Sequence, residues 1–455
     1  MGVDDDAALF DLSCTLFVSN TNQTRSITVS FNASLDLFEK KGLVKTTHRF
    51  VRLLSQLFLS DQPLYTFSLL LDEEREILRK LNDTHVDYGP IRCAHRHFIK
   101  HAQQYPQKLA MVFEDQSITY TETLFYAQQV AFDLVTEYHV CPYDVVVQLM
   151  ERSIELVIGI LAIWMSGATY APINPHDPIA RLKTCMEQTN AKHIIVHSST
   201  NHISLSSYSN IRINDIINDM TERDLIEILS SIPVLPEHIS HIVFTSGSTG
   251  KPKAARIRHR NIVAYICSYI THSIDTVLYH ITVSFDGHLE DICGGLLKGG
   301  QLIILPPEGQ LDMSIFVKTI NRHQVTYLGG VPSLYIMLNE YFHMLEAKGW
   351  QTHEDFVTLR RLSSSGEPLS MKTVSDFAKH TLQNCHIYNF YGPSECTEVA
   401  TQYFISPNEL HGGQLPIGQP MANVYIHILD EHLQHVIPGI QIGEIIIGGM
   451  FFFHG

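Results

Sequence analysis

Hydrophobic spacing along the chain changes character near residue 93. Before it, residues 35–58 place Leu35, Phe38, Phe50, Val51, Leu54, Leu57 and Phe58 mostly at helical spacing, with Lys40, Lys41, Lys45, Arg49 and Arg52 on the other faces. A second helix is predicted after it. Asp72 stands as its cap, Glu73 and Glu74 fall in the first turn, and Arg79 and Lys80 lie near its end, as the helix dipole prefers. Read alone, residues 1 to about 80 suggest a small helical appendage.

From about Cys93 the rhythm becomes one of alternating strands and helices. The stretch KLAMVFEDQSITYTETL predicts two short strands and a helix start, and HIIVH, residues 301–305 and residues 444–447 are apolar runs of buried-strand type. Amphipathic stretches alternate with them, such as Asn261 as a cap ahead of Ile262, Val263, Tyr265, Ile266 and Tyr269. The longest apolar run, residues 156–165, is too short to cross a bilayer and reads as a buried helix. The pattern is that of stacked α/β layers. A chain of 455 residues, 45% of them hydrophobic, suffices for a large core in two or three structural units. No internal repeat or low-complexity segment interrupts it.

Composition narrows the function classes. A net charge of −15 argues against a nucleic-acid surface, which needs a basic patch. The eight cysteines, Cys14, Cys93, Cys141, Cys185, Cys267, Cys293, Cys385 and Cys396, are scattered without a C-x-x-C, so neither a disulfide framework nor a zinc knuckle is implied and a reducing cytosol fits. The N-terminus MGVDDDAALF is acidic where a signal peptide is basic and then apolar, which suggests a cytoplasmic protein without a membrane role. The 26 histidines show no metal-ligand spacing, and His95, His97 and His386 read as surface or hydrogen-bonded residues.

One segment carries chemistry, IVFTSGSTGKPK. Residues 241–244 read as a strand that empties into a loop in which Gly247 and Gly250 free the backbone, Thr245, Ser246, Ser248 and Thr249 bring hydroxyl donors, and Lys251 and Lys253 bring positive charge. That is a cradle for phosphate, although G-x-x-x-x-G-K-[ST] cannot be laid over it and a Gly/Ser turn on composition alone is a surface loop.

The string TSGSTGKPK resembles the phosphate-loop signature of the adenylate-forming, AMP-binding superfamily, which joins a carboxylate to ATP to give an acyl-adenylate and pyrophosphate. Within it the chain looks most like the adenylation domains of nonribosomal peptide synthetases. IWMSGATYAPINPHDPIARL (163–182) resembles the family's early core motif, and NFYGPSE (389–395) is similar to its N-x-Y-G-P-T-E adenine and magnesium motif, with Ser394 in place of threonine. LPIGQPMANVYIHILD and GEIIIGG (443–449) resemble the late core motifs, and all follow in the family's order.

The resemblance implies an α/β fold, the large N-terminal domain of layered α/β subdomains with a partial β-barrel, and an ATP- and Mg²⁺-dependent amino-acid ligase. Lys251 and Glu395 would be catalytic, Glu395 as the metal ligand, and Thr245, Ser246, Gly247, Ser248, Thr249, Gly250 and Lys251 would hold the leaving pyrophosphate. Asn389, Phe390, Tyr391, Gly392 and Ser394 resemble the adenine-binding portion, and Gly366, Glu367 and Pro368 its second turn. In VSFDGHLEDICGG, Asp286 matches the aspartate that binds a substrate α-ammonium; a buried carboxylate needs such a partner. The implied pocket is Asp286, Gly287, Glu290, Gly329, Ser363, Ser365, Phe390, Glu398 and Val399. It is roomy and negative, which favours a long or cationic side chain such as that of ornithine, lysine or arginine, since Glu290 or Glu398 would otherwise face an apolar group unpaired.

Upstream, SFNASLDLFEKKGLVKTTHRFVRLLSQLF and LLLDEEREILRKLNDT resemble the tail of a condensation domain and its linker, although the H-H-x-x-x-D-G motif is missing. The implied organisation is a condensation remnant at 1–75, a linker at 76–92 and an adenylation large domain at 93–455. Its partners would be the condensation and carrier domains of a parent synthetase, the latter bearing a phosphopantetheine absent from this chain. Two departures stand out. Ala254 replaces the usual glycine, and the chain stops at Gly455, where the family continues into a ribose-binding aspartate, a hinge and a small C-terminal lid with a lysine. Without the lid, weak or no adenylation is expected. A degenerate nucleotide-binding or interaction protein without catalysis, and an acyl- or aryl-CoA ligase, remain alternative readings.

Overall fold

The computed structural model describes the chain except residues 1–10, 21–24, 60, 91–92, 201–207, 220–224, 246–252, 350–355, 382–383, 407–413 and 451–455. Two compact units result. One comprises residues 1–83 with 425–447, the other residues 84–424 with 448–455.

The first unit is not purely helical. It opens with an antiparallel pair, Leu12–Asn20 against Arg25–Ala33. Leu16, Phe17, Val18 and Ile27 are exposed, so the pair lacks the one-sided burial that makes strands legible as alternation. The expected helices follow as Lys40–Leu59 and Asp72–Leu81. Asp72 does not cap the second: Leu71 occupies the cap position, Glu74 Oε2 accepts from the Leu71 N–H at 3.0 Å, and Asp72 instead accepts from Arg52 at 2.7 Å. Glu74 reaches back because it also receives the buried guanidinium of Arg49, which ties the two helices. The ribbon of Val424–Leu429 and Glu444–Gly449 falls largely in this unit. No closed barrel forms among the described residues.

The second unit contains two large sheets. The six-stranded sheet runs Lys253–Arg258, Ile239–Thr245, Thr169–Ile173, Val145–Leu149, His193–Val196, Ser209–Arg212, parallel except for its first strand. The apolar run 156–165 lies within the helix Ile154–Met165, of which every residue but Glu155 is buried. Ser153 caps it, and Trp164 secures it by donating from Nε1 to the Ser240 carbonyl at 2.8 Å. No helix among the described residues is long and apolar enough to cross a membrane.

The nine-stranded sheet runs Gln419–Pro420, Thr401–Ile405, His386–Tyr391, Arg361–Ser364, Tyr327–Gly330, Thr276–Tyr279, Gln301–Ile304, Leu109–Phe113, Gln116–Thr119. Its last two strands and the helix Tyr120–Thr136 occur where KLAMVFEDQSITYTETL predicts them, with Thr119 and Glu122 closing a reciprocal cap. The helix His259–Ser268 begins two residues before Asn261, which caps from inside the first turn by accepting from the Arg258 N–H at 2.9 Å. Phe316, Leu338, Phe342, Phe356 and Leu359 belong to the core cluster packed with this sheet.

The strands that matter for the site are central and parallel. Gly329 pairs with Ser363, Gly330 with Ser364, and Ser364 with Asn389, so three neighbouring strands end at one level. At their opposite end Arg361 clamps the buried Asp275, donating to its oxygens at 3.0 and 2.8 Å, while Thr326 Oγ1 and the His272 N–H also reach that carboxylate. Removing one member strands a buried charge. Arg361→Met is expected to destabilise this unit by about 3 kcal/mol, read as a lowered thermal unfolding midpoint; an unchanged midpoint would show that the clamp contributes nothing.

Candidate active site

The carboxyl ends of these strands open onto a group of acids. His280 follows Thr276–Tyr279 and donates from Nε2 to the Gly329 carbonyl at 2.7 Å; burial holds its pKa down to about 4, so it is neutral. Asp286 begins the helix Gly287–Leu296 and accepts from the Gly287 N–H at 3.1 Å. Burial raises the Asp286 carboxyl, and a hydrogen bond from Ser394 pulls it back. No described lysine or arginine forms an ion pair with Asp286, which lines a narrow cleft with Asn174, Val243, Phe244 and Ser284.

One turn further along, Glu290 is fully enclosed, and three tyrosines donate to it. Tyr265 reaches Oε2 at 2.8 Å, Tyr327 reaches Oε1 at 3.1 Å, and Tyr269 makes the shortest contact. Tyr327 Oη also meets Ser363 Oγ at 2.5 Å. A β-carbon on Gly329 would lie 3.1–3.3 Å from Tyr327 Oη, Ser363 Oγ and Glu290 Oε1, so the missing side chain lets these groups converge closely against the strand. Phe390 closes one side, its ring 6.1 Å from that of Tyr269. The sequence reading placed Glu290 as an acid in need of a substrate cation. The structure corrects that: its oxygens are taken by tyrosine hydroxyls.

Glu398 is the acid left over. It is buried, and neither carboxyl oxygen has a well-aligned hydrogen bond among the described residues. Burial, then the neighbouring charges of Glu290 and Asp286, push its pKa well above the usual carboxylate range. Burial likewise raises Glu290, which the tyrosine hydroxyls oppose. The chain places Glu398 there at a backbone cost, since Thr397 and Glu398 both have positive φ, 60° and 75°, a region disfavoured for residues with a β-carbon. Gly392 is required beside them, because a β-carbon there would lie 2.5 Å from the Glu398 carbonyl oxygen. Val399 is buried in the same bend.

The other expected residues fall on the same edge. Asn389 is buried, its Nδ2 donating to the Pro416 carbonyl at 2.9 Å, and Tyr391 is exposed at the strand end. Gly366, with φ 83°, turns the chain after Ser365, whose N–H donates to the Gly330 carbonyl at 3.0 Å. Glu367 accepts from the Ser333 N–H at 3.1 Å, and Pro368 is exposed beside it. Ser394–Cys396 forms a short 3-10 turn packed against Lys253–Arg258, which brings Glu395 toward the place where Thr245 pairs with Lys253. Ser246, Gly247, Ser248, Thr249, Gly250 and Lys251 lie outside the described residues. The sequence reading missed His280, Tyr265, Tyr269 and Tyr327 as site residues. Tyr265 and Tyr269, four apart after the phosphate loop, carried the signal of a polar tip on a buried ring.

Comparison with known proteins places this geometry. The family model for AMP-binding enzymes matches residues 98–455. Bacitracin synthase 2 of Bacillus licheniformis is 28% identical over 455 residues, covering 97% of this chain and 16% of its own length. Tyrocidine synthase 3 of Brevibacillus parabrevis is 30% identical over 451 residues, covering 97% of this chain and 7% of its own length. Among solved structures, the nonribosomal peptide synthetase FmoA3 superposes with a TM-score of 0.82 at 18% identity, over 97% of this chain and 47% of that one. The NpsA N-terminal subdomain of Klebsiella oxytoca superposes with a TM-score of 0.69 at 24% identity, over 80% of this chain and 89% of that one. The chain thus spans a small fraction of these curated relatives.

The acid cluster makes stability depend on pH. A carboxyl raised in the folded state binds its proton more tightly there than in the unfolded chain, so stability falls as pH rises above the unfolded carboxylate range. Below that range both states are protonated and the effect vanishes. Replacing Glu398→Gln removes the charge, and the unfolding midpoint is expected to rise by roughly 2–4 °C at pH 8 but hardly at pH 4. Equal shifts at both pH values would mean that Glu398 is not held protonated by its surroundings.

Proposed function

The chain belongs to the AMP-binding enzyme family, and from that premise we propose that it activates an amino acid with ATP, giving an aminoacyl-adenylate and pyrophosphate, as one unit of a cytoplasmic nonribosomal peptide synthetase. The observation that carries this reading is Asp286, a partly buried carboxylate fixed beside Ser394 with no ion-pair partner among the described residues. A substrate ammonium supplies the missing cation, which a fatty or aryl acid does not.

Asp286 orients the substrate so that its carboxylate oxygen attacks the α-phosphorus while the bond to the bridging oxygen of pyrophosphate breaks. Such a reaction asks for positioning and charge stabilisation more than covalent help. The segment from Thr245 to Lys251 holds the leaving pyrophosphate, Asn389 to Gly392 and the turn Gly366, Glu367, Pro368 frame the adenine, and Lys251 stabilises charge on the phosphates. Glu395, half-buried next to Asp286 and without a described cation in ion-pair range, offers the hard oxygen that suits Mg²⁺. When bound, Mg²⁺ neutralises charge on the phosphates.

For the side chain, the buried acids Glu290 and Glu398 make the implied pocket negative, which favours ornithine, lysine or arginine. We read residues 1–75 as a condensation remnant, 76–92 as a linker, and a carrier domain with phosphopantetheine as the acceptor. The names of the relatives support this setting. Pyrophosphate exchange is the test. Ornithine is expected to support exchange above leucine and phenylalanine, and Asp286→Ala to lower kcat/KM by about 100-fold, the scale of one buried charge pair. Preference for leucine or phenylalanine would sink the cationic side chain; an unaffected Asp286→Ala variant would sink the amino-acid reading.

A further inference from the structure

Tyr269 separates two spaces. Its hydroxyl faces Glu290, and its carbonyl accepts from Lys298 Nζ at 3.2 Å. On the Lys298 side lies a cavity of about 350 Å³, larger than the clefts beside Asp286 and Arg152. Its size is that of a small-molecule site. Val263, Ile266 and Leu297 give its apolar walls, and Tyr88, His97, His101 and Cys267 complete the lining with Lys298.

Lys298 is the unusual member. Its only described hydrogen bond is to the Tyr269 carbonyl, and no carboxylate lies within ion-pair distance among the described residues. An ammonium has three donors, so two remain for a ligand. Burial lowers its pKa, and Cys267, which also lines the cavity, and then Asp275 oppose that shift. His101, also held low by burial, has a backbone hydrogen-bond interaction with Leu297 and packs its ring against Gly299. A half-buried cation at the edge of an apolar chamber is costly when empty and complementary to an anion with an apolar body.

We propose that this cavity is a second ligand site, which takes an amphipathic monocarboxylate with its carboxylate on Lys298 and its body against Val263, Ile266 and Leu297. None of these residues belongs to the substrate pocket or the phosphate site. A role for inorganic anions alone is disfavoured, because the apolar walls would then go uncovered.

The test is titration calorimetry of the full chain with octanoate and octan-1-ol. Saturable octanoate binding is expected, with octan-1-ol at least about tenfold weaker, a difference of roughly 1.4 kcal/mol. Val263→Trp, which fills the chamber, and Lys298→Met, which removes the ammonium, are each expected to weaken octanoate by about tenfold or more. Absence of saturable binding, equal binding of the alcohol, or full affinity in Val263→Trp overturns the proposal. The acid-against-alcohol comparison uses the unaltered protein and decides the matter even if Lys298→Met fails to fold.

Discussion

Parallel strands impose one constraint from which the rest follows: neighbours must point the same way, so their carboxyl ends open together on a single edge. Tyr327–Gly330, Arg361–Ser364 and His386–Tyr391 obey it residue by residue, Gly329 opposite Ser363 and Ser364 opposite Asn389. The Asp275–Arg361 clamp fixes the other end of the same strands, and Thr326, which opens toward it, precedes Tyr327. Groups that lie far apart in sequence are thereby held at a common level without any direct bond between most of them. The helix Gly287–Leu296 then needs only to present Asp286 and Glu290, one turn apart, to this edge.

Electrostatics divides the acids into two kinds. Glu290 is solvated by tyrosine hydroxyls that replace water, so it is a structural acid despite its position. Glu398 and Asp286 lack that protection, Asp286 having Ser394 and its own helix N-terminus, Glu398 having neither. Buried polar groups are normally paired. Where the chain leaves Glu398 without a well-aligned hydrogen bond, and also accepts positive φ at Thr397 and Glu398, the departure marks a place shaped for something other than stability.

Much of the fold was legible because the signals were local. The helix Ile154–Met165 is apolar on all sides, and Thr119 with Glu122 forms a cap visible in four letters. The N-terminal strands were not legible, because Leu16, Phe17 and Val18 are exposed in succession and break the alternation that one buried face imposes. Caps slipped for a similar reason: Asn261 and Glu74 act from inside the first turn, where side-chain reach matters more than position. At the site, ordered motifs located the strand ends and Asp286, but the partners of Glu290 come from the helix at 259–268, the residue that ends it, and a strand at 327–330. No spacing in one dimension encodes such convergence.

This convergence also explains why an acidic, glycine-opened pocket can be stable at all. Three hydroxyls spread the charge of Glu290 through a network in which Tyr269 meets Tyr327 and Tyr327 meets Ser363. Such networks specify geometry when every member is satisfied and are costly when one is not. The tyrosine hydroxyls engage Glu290, so much of the cost falls on Glu398 and Asp291, Glu398 at the bend that Gly392 makes possible. Glu290 and the neighbouring Asp291 thus raise the carboxyl of Glu398, and Glu290 that of Asp291, within one buried cluster.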